Sequence, residues 1–252
     1  MASGVQDRSE CCFLEWMRLQ EQSLSELLQA LNPSQPNGNE LTQLIQKGVE
    51  QFQHYVDQRS QLANADVAGF FAPTWCTAWE NSLLWIGGCR PSSFIRLVYV
   101  LCGLDLESKL EEFLGAGGGP PGRLGELSAR QLVQVDGLQR RTVKEEEKLT
   151  DKLAALQEDV ADQPIAAIAR GLSRVGETCG ELDRALDEHE QAMLAALLEA
   201  DKLRLNTLKE LVGILTPLQA ADFLAMSKKL HLCVHEWSKK RDQRHGRVDQ
   251  GN

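Results

Sequence analysis

The sequence lacks the features that mark several large classes of protein. None of its apolar runs approaches the roughly 18 residues that a membrane-spanning helix needs, so no membrane span is predicted. The polar stretch 1–10 contains no apolar core of the kind that a secretion signal requires. Strand-like alternation of apolar and polar residues is also absent, which argues against β-rich folds.

Motifs for metal binding, disulfide pairing and catalysis are missing as well. The seven cysteines are scattered and include no C-x-x-C pair, which argues against a zinc site and against a secreted disulfide framework. No nucleophile elbow or H-E-x-x-H motif is present, so an enzyme is not expected. The net charge of −9 should repel nucleic acid and anionic membranes, so direct DNA contact is not expected.

Nearly all of the remaining sequence has the apolar periodicity of amphipathic helices. Ser9 and Thr216 have the positions of N-caps, and Thr77 with Glu80 has the spacing of a capping box. The predicted helices cover residues 9–31, 40–64, 74–86, 92–102, 104–114, 127–162, 178–215 and 217–243. Long helices with short connections favour an all-α fold, a multi-helix antiparallel bundle with two long helices.

One folded domain is predicted over residues 10–245. The stretches 1–9 and 246–252 are polar and are predicted to be unstructured. The Gly- and Pro-rich segment 115–125 is predicted to be a flexible loop. It lacks the Lys-Ser/Thr that would follow a phosphate-binding loop, so a nucleotide site is not expected there.

His231 and His235 form the most distinctive pair of side chains. They stand four residues apart in a predicted helix, which places both imidazoles on one helix face. Two imidazoles on one face are able to bind a metal or a metal-centred cofactor. The alternative is that they are two ordinary surface histidines. Cys233 lies between them on a different face and is a weaker alternative ligand.

Two further segments have a functional and a structural interpretation. The N-terminal one is rich in apolar residues that cannot all face one core, which indicates a partner-binding patch, although one-sided core packing is the alternative. Its candidate residues are Phe13, Leu14, Glu15, Trp16, Met17, Leu19 and Gln20. The basic cluster Lys239, Lys240, Arg241 and Arg244 is typical of a nuclear-targeting patch or, equally, of a solvated helix end.

Ordered motifs along the whole chain resemble one plant family. They are Phe13-Leu14-Glu15-Trp16, Ala72-Pro73-Thr74-Trp75, Trp85-Ile86-Gly87-Gly88-Cys89-Arg90-Pro91-Ser92-Ser93-Phe94, Ala200-Asp201-Lys202-Leu203-Arg204 and Lys228-Lys229-Leu230-His231 followed by His235-Glu236-Trp237. The resemblance covers residues 10–245 and identifies the plant Delay of Germination family. A weaker resemblance is to the C-terminal domain of the TGA-type bZIP transcription factors. Their basic region and leucine zipper have no counterpart here.

The resemblance implies a regulator of seed dormancy in abscisic-acid signalling rather than an enzyme. Members of the family act in the nucleus, bind and restrain clade A type 2C protein phosphatases, self-associate, and bind haem b through the histidines that correspond to His231 and His235. A nuclear cofactor of transcription that pairs with the bZIP relatives is the alternative function. A cytoplasmic fraction is compatible with either function.

Haem ligation by this pair raises a geometric conflict. Two axial ligands must approach the iron from opposite sides, whereas His231 and His235 project from the same side of one helix. Either one histidine ligates the iron and the other acts from beside it, or the helix unwinds, or two chains share the haem. We expect both histidines to influence haem, with unequal roles. A haem enzyme such as a peroxidase would also need polar catalytic groups at an open distal position, and the sequence indicates none.

Overall fold

In a computed structural model the chain is an all-α bundle, as predicted. The structure describes residues 2–32, 36–113, 127–176 and 179–246, with side chains from residue 4 onward except over 104–113. Within those ranges there are nine helices and no strand. They are α1 Ala2–Leu31, α2 Gly38–Ala63, α3 Ala68–Phe71, α4 Ala78–Leu83, α5 Ser92–Phe113, α6 Ala129–Asp159, α7 Ile165–Gly171, α8 Gly180–Ile214 and α9 Pro217–Arg244. None of the described helices is both long and apolar enough to cross a membrane.

Helices α1 and α2 pack antiparallel. Glu26, late in α1, forms an ion pair of 2.7 Å with Lys47, early in α2. Cys12, early in α1, contacts Gln58, late in α2, at 3.7 Å. The residue numbers therefore run in opposite directions along the contact, as a short connection between two helices favours.

The two predicted long helices, α6 and α8, are also antiparallel neighbours. Arg141 of α6 pairs with Glu210 of α8, and Lys152 pairs with Glu199 at 2.8 Å. These helices have 31 and 35 residues. Helices α1, α2 and α9 are nearly as long, with 30, 26 and 28 residues. The two predicted long helices are therefore the longest of the described helices.

The main core lies where α1, α2, α5, α6, α8 and α9 meet. On α2, α5, α6 and α8 its side chains stand three or four residues apart, which is why one face of each of these helices is buried. The fully buried members include Leu27, Leu31, Leu41, Ile95, Val98, Val135, Leu211 and Phe223. This core fixes the relative positions of α1, α2, α8 and α9, which form the candidate site.

The helices differ from the sequence-based prediction in three main ways. Helix α1 begins at Ala2, so Ser9 is a buried residue inside it rather than its N-cap, and most of the segment 1–9 is helical rather than unstructured. Gln6 donates a hydrogen bond to Thr74 across 2.5 Å, which ties this first part of α1 to the body of the protein. Helix α5 is continuous, whereas a break near residue 103 was predicted.

The third difference lies in the segment before α5. A helix was predicted over residues 74–86, but α4 covers only Ala78–Leu83 because the chain then turns back on itself at Trp85–Gly88. The predicted capping box of Thr77 and Glu80 is confirmed, and so is the N-cap Thr216 of α9. The predicted loop 115–125 and the tail 247–252 lie outside the described residues.

Candidate ligand-binding site

A cavity of about 370 Å³ lies between α1, α2, α8, α9 and the segment 70–89. This volume falls within the range of ligand pockets, roughly 300–1,000 Å³. Its wall is largely apolar and includes seven aromatic side chains from several elements, namely Phe13, Trp16, Phe52, Tyr55, Phe70, Trp75 and Phe94. An apolar wall with a few polar groups is the usual composition of a small-molecule site.

His231 is one of the polar groups in this wall. Its side chain is half-buried, and burial lowers its pKa, an effect that nearby Glu80 partly opposes. The imidazole is therefore mostly neutral near pH 7, which leaves one ring nitrogen able to ligate a metal. Of the two histidines predicted from sequence, His231 is the one that faces the cavity.

His235 is held differently, although it lies one turn further along the same helix. Its side chain is buried and does not line the cavity. Its Nδ1 lies 2.7 Å from Oε1 of Glu80, and the ring of Phe13 meets it edge-on with centroids 5.9 Å apart. The second oxygen of Glu80 accepts a hydrogen bond from the backbone N–H of Thr77. His235 thus anchors α4 to α9.

The residues around the cavity fit a haem held by one histidine. The aromatic wall suits an apolar, planar macrocycle, and the neutral imidazole of His231 is a suitable axial ligand. A pair of axial ligands from this one chain does not fit, because both histidines project from one face of α9 and Glu80 holds His235. Cys233 is exposed on another face of the helix. Among the described residues, no group of three or more His, Cys, Asp and Glu side chains could hold a bare metal ion.

A buried ionic clamp forms the far side of the cavity. Asp201 pairs with Arg204 at 2.6 Å and with Arg59 at 3.2 Å. Both guanidinium groups also donate to backbone carbonyls of the turn, Arg59 to Gly87 at 2.8 Å and Arg204 to Ile86 at 2.8 Å. The clamp therefore joins α2 and α8 to the turn that carries part of the cavity wall.

The turn itself requires an unusual backbone. Ile86 and Gly87 have φ values of +44° and +65°, in the left-handed region. A Cβ atom on Gly87 would lie 2.7 Å from Cδ1 of Leu197 and 2.9 Å from the carbonyl oxygen of Phe70. The adjacent glycines were a sequence signal for this reversal, whereas nothing in the sequence indicated which arginines and aspartate would hold it.

Lys228 and Gln20 form a second polar group in the cavity wall. Both side chains are buried, and Nζ of Lys228 donates to Oε1 of Gln20 across 3.2 Å. Burial lowers the pKa of Lys228 to about 8, and Glu26 opposes this shift. The Nε2 atom of Gln20 is buried and has no acceptor among the described residues. Sequence analysis did not identify Lys228, because a lysine in an amphipathic helix is normally exposed.

The N-terminal segment is mostly core rather than partner surface. Phe13, Trp16, Met17 and Gln20 are buried, so the alternative of core packing applies to these four residues. Their spacing of three, one and three residues places them on a single helix face. Trp16 stacks on Tyr55 with ring centroids 4.5 Å apart.

The outward face of this segment is much smaller than predicted. Leu14 is 54% exposed, Glu15 is exposed and pairs with Arg18 at 2.7 Å, and Leu19 is half-buried. Of the seven candidate partner residues, these three are therefore the ones that a partner could contact.

The basic cluster ends α9 and is partly used in packing. The guanidinium of Arg241 lies 5.5 Å from the centroid of Trp79, so Arg241 helps to fix α4 against α9. Lys239 lies 3.9 Å from Glu236, on the preceding turn. Lys240 and Arg244 are exposed. A targeting receptor could therefore reach the last two side chains directly.

Comparisons with known proteins show the family of the chain. The family model "DOG1: Seed dormancy control" matches residues 23–100. Over 96% of its length the chain is 42% identical to Protein DOG1-like 1 of Arabidopsis thaliana, covering 93% of that protein. It is 39% identical to Protein DOG1-like 3 of the same plant, over 95% of the chain and 87% of the relative.

A more distant similarity extends to transcription factors. The chain is 28% identical to Transcription factor TGAL6 of Oryza sativa subsp. japonica over 84% of its length, which covers 48% of that factor. The domain is therefore shared between the two groups, as the sequence motifs indicated. On the strength of the identity over nearly its whole length, the chain belongs to the DOG1 seed dormancy control family.

Proposed function

We propose that the chain is a non-enzymatic regulator of seed dormancy that acts in abscisic-acid signalling by inhibiting clade A type 2C protein phosphatases and that binds haem b. Family membership supports the role in dormancy. The observation that carries the haem proposal is the position of His231 in an aromatic-walled cavity of about 370 Å³. His231 would ligate the iron, and His235 would hold α9 in place through Glu80.

Haem, when bound, supplies an iron centre that is able to change oxidation state or bind a small gas. The chain's own residues would bind this group and hold it in position. The aromatic wall would exclude water from the macrocycle, and the Glu80–His235 pair would fix the helix that presents His231. Unequal roles for the two histidines follow directly from this arrangement.

A haem titration of the purified chain tests this site. We expect a Soret shift that saturates in the wild type and in His54→Ala, which removes an exposed histidine of α2. The shift should be lost in His231→Ala and retained with weaker affinity in His235→Ala. An unchanged spectrum in His231→Ala would contradict the proposed ligand. Peroxidase turnover above that of free haem would contradict the non-enzymatic role.

The phosphatase-binding surface is proposed on the outward face of α1, around Leu14, Glu15 and Leu19. Leu14 and Leu19 lie beside the charged pair of Glu15 and Arg18, which gives the apolar centre and polar rim of a small protein interface. The test is inhibition of a clade A type 2C phosphatase by Leu14→Asp, with Leu28→Asp as control because Leu28 is 49% exposed on the same helix. We expect Leu14→Asp to weaken inhibition by more than about fivefold. Equal inhibition by the two variants would contradict this surface.

A nuclear cofactor of transcription is the second candidate function. The similarity to a TGA factor over most of the chain favours it. Lys239, Lys240, Arg241 and Arg244 would serve nuclear targeting, with Lys240 and Arg244 directly accessible. Capture of TGA factors rather than phosphatases by the tagged chain would favour this candidate. Self-association of the chain would appear as a dimer in light scattering. Direct DNA contact is not proposed, because the net charge of −9 repels nucleic acid.

A further inference from the structure

Two neighbouring buried side chains in the cavity wall, Lys228 and Gln20, have hydrogen-bond donors in excess of their acceptors. Lys228 is only 5% exposed and Gln20 only 4%, and both line the cavity. Lys228 donates one hydrogen bond, to Oε1 of Gln20 at 3.2 Å. An ammonium group has three N–H donors, so this neutral amide leaves it under-satisfied.

The orientation of the Gln20 amide is fixed by Lys228. Because Nζ is a donor only, it must face the amide oxygen, and the amide nitrogen then points away. That nitrogen, Nε2, is buried and has no acceptor among the described residues. An orphaned buried donor costs about 1–3 kcal/mol, so its retention calls for a physical reason.

No carboxylate of the described chain neutralises Lys228. Its nearest acidic influence is Glu26 on α1, but Glu26 forms its own ion pair of 2.7 Å with Lys47. On the cavity side, the ring of Trp16 lies 5.8 Å from Nζ, and His231 is one turn further along α9. A cation placed against an aromatic wall and facing a cavity is arranged to receive an anion.

We propose that the cavity binds an apolar carboxylic acid, with the carboxylate accepting hydrogen bonds from Nζ of Lys228 and Nε2 of Gln20 and the apolar body lying against the aromatic wall. A carboxylate supplies the acceptors that both donors lack. The body of the ligand must be apolar, because the wall of the cavity is largely apolar and includes seven aromatic side chains. This second ligand chemistry does not rest on the haem proposal, since neither Lys228 nor Gln20 is needed to ligate iron.

Paired probes that differ only in the carboxylate test the proposal. Phenylbutyrate and pyrenebutyrate would be titrated into the full-length chain by calorimetry, beside the alcohols phenylbutanol and pyrenebutanol. For at least one of the two bodies we expect the acid to bind about tenfold or more tightly than its alcohol, as a charge-assisted hydrogen bond allows. Failure of both acids to bind, or equal affinity of acid and alcohol, would overturn the proposal.

Matched variants show whether Lys228 and Gln20 are the groups that hold the carboxylate. Lys228→Met should abolish the preference for the acid, whereas Lys229→Met, which removes the same charge from the exposed neighbouring position, should retain it. Gln20→Leu should reduce the preference. His231→Ala should keep it while losing the haem spectrum, so the two proposals fail separately. An acid preference that survives in Lys228→Met would contradict the assigned anchor.

Discussion

The carboxylate of Glu80 joins α4 to α9 by accepting hydrogen bonds from both. Its Oε1 lies 2.7 Å from Nδ1 of His235 on α9, and its Oε2 accepts from the backbone N–H of Thr77 at the start of α4. Glu80, whose spacing from Thr77 predicts only a helix cap, therefore also fixes the position of α9. This contact places α4 beside the cavity and accounts for the burial of His235.

The first prediction concerns the acid sensitivity of this contact. Burial opposes ionisation of Glu80, but hydrogen bonds from His235 and Thr77 outweigh it and lower its pKa. Because its pKa is lowered in the folded chain, ionised Glu80 stabilises the fold at pH values above its ordinary pKa of 4.5. That contribution is lost as the pH falls through the folded pKa. Glu80→Gln should therefore lower the free energy of unfolding by about 1–3 kcal/mol near pH 7.

Urea unfolding at a series of pH values measures this effect. The gap in unfolding free energy between wild type and Glu80→Gln should shrink as the pH falls from 4.5, where the unfolded chain takes up its proton, through the lower folded pKa. Glu236→Gln, at an exposed position on α9, is the control and should change stability by less than about 0.5 kcal/mol. A gap that stays constant across the pH range would show that the charge of Glu80 contributes nothing.

The sequence predicted the fold class and several helix ends because these depend on local patterns. Apolar spacing gives the buried face of a helix, and Thr77 and Thr216 cap their helices through residues only three apart. The site depends on contacts between distant segments instead. The partner of His235 lies 155 residues away and that of Lys228 lies 208 residues away, so no local pattern identifies them.

The buried clamp yields the second prediction. Asp201→Asn would leave Arg59 and Arg204 buried without a counter-charge, although their bonds to the turn remain. Breaking a buried ion pair from one side costs about 3–5 kcal/mol. Urea unfolding should show this loss, whereas Glu210→Gln, which removes an exposed ion pair with Arg141, should cost less than about 1 kcal/mol. Equal effects would contradict the role assigned to the clamp.

The tight turn yields the third prediction. Gly87→Ala forces a side chain into a left-handed backbone and within 2.7 Å of Leu197. We expect a loss of about 2 kcal/mol or more in the free energy of unfolding, from strain and overpacking together. Gly103→Ala is the control, because a Cβ there meets nothing within 4 Å and lies inside α5. That variant should gain about 0.5–1 kcal/mol. Similar stabilities in thermal melts would contradict the proposed strain.

Trp16 and Leu14 yield the fourth prediction, since they are two residues apart and face opposite ways. Trp16→Ala should cost about 3–5 kcal/mol, because the indole is buried against Tyr55 and Phe52. Leu14→Ala should change stability by less than about 0.5 kcal/mol. Chemical unfolding followed by circular dichroism measures both. Normal stability of Trp16→Ala would instead favour Trp16 as a partner contact.

Lys228 yields the fifth prediction, at alkaline pH. Its folded pKa of about 8 lies below the ordinary 10.5, so the unfolded chain binds more protons than the folded chain between these values. Wild-type stability should therefore gain from this group as the pH rises through that window. Below pH 8 the buried charge costs on the order of 3 kcal/mol, so Lys228→Met should be more stable near pH 7.

The difference in unfolding free energy between the wild type and Lys228→Met isolates the titration of Lys228. Glu26 and His231, the titratable neighbours of Lys228, keep one protonation state between pH 8 and 10.5, and cysteine and tyrosine ionisations are common to both proteins. The advantage of Lys228→Met should therefore narrow steadily across that window. Lys229→Met should show no such trend because its side chain is exposed. A pH-independent difference in stability would mean that Lys228 reaches water in the folded chain. In the same unfolding experiments, a saturating apolar carboxylate should stabilise the wild type but not Lys228→Met.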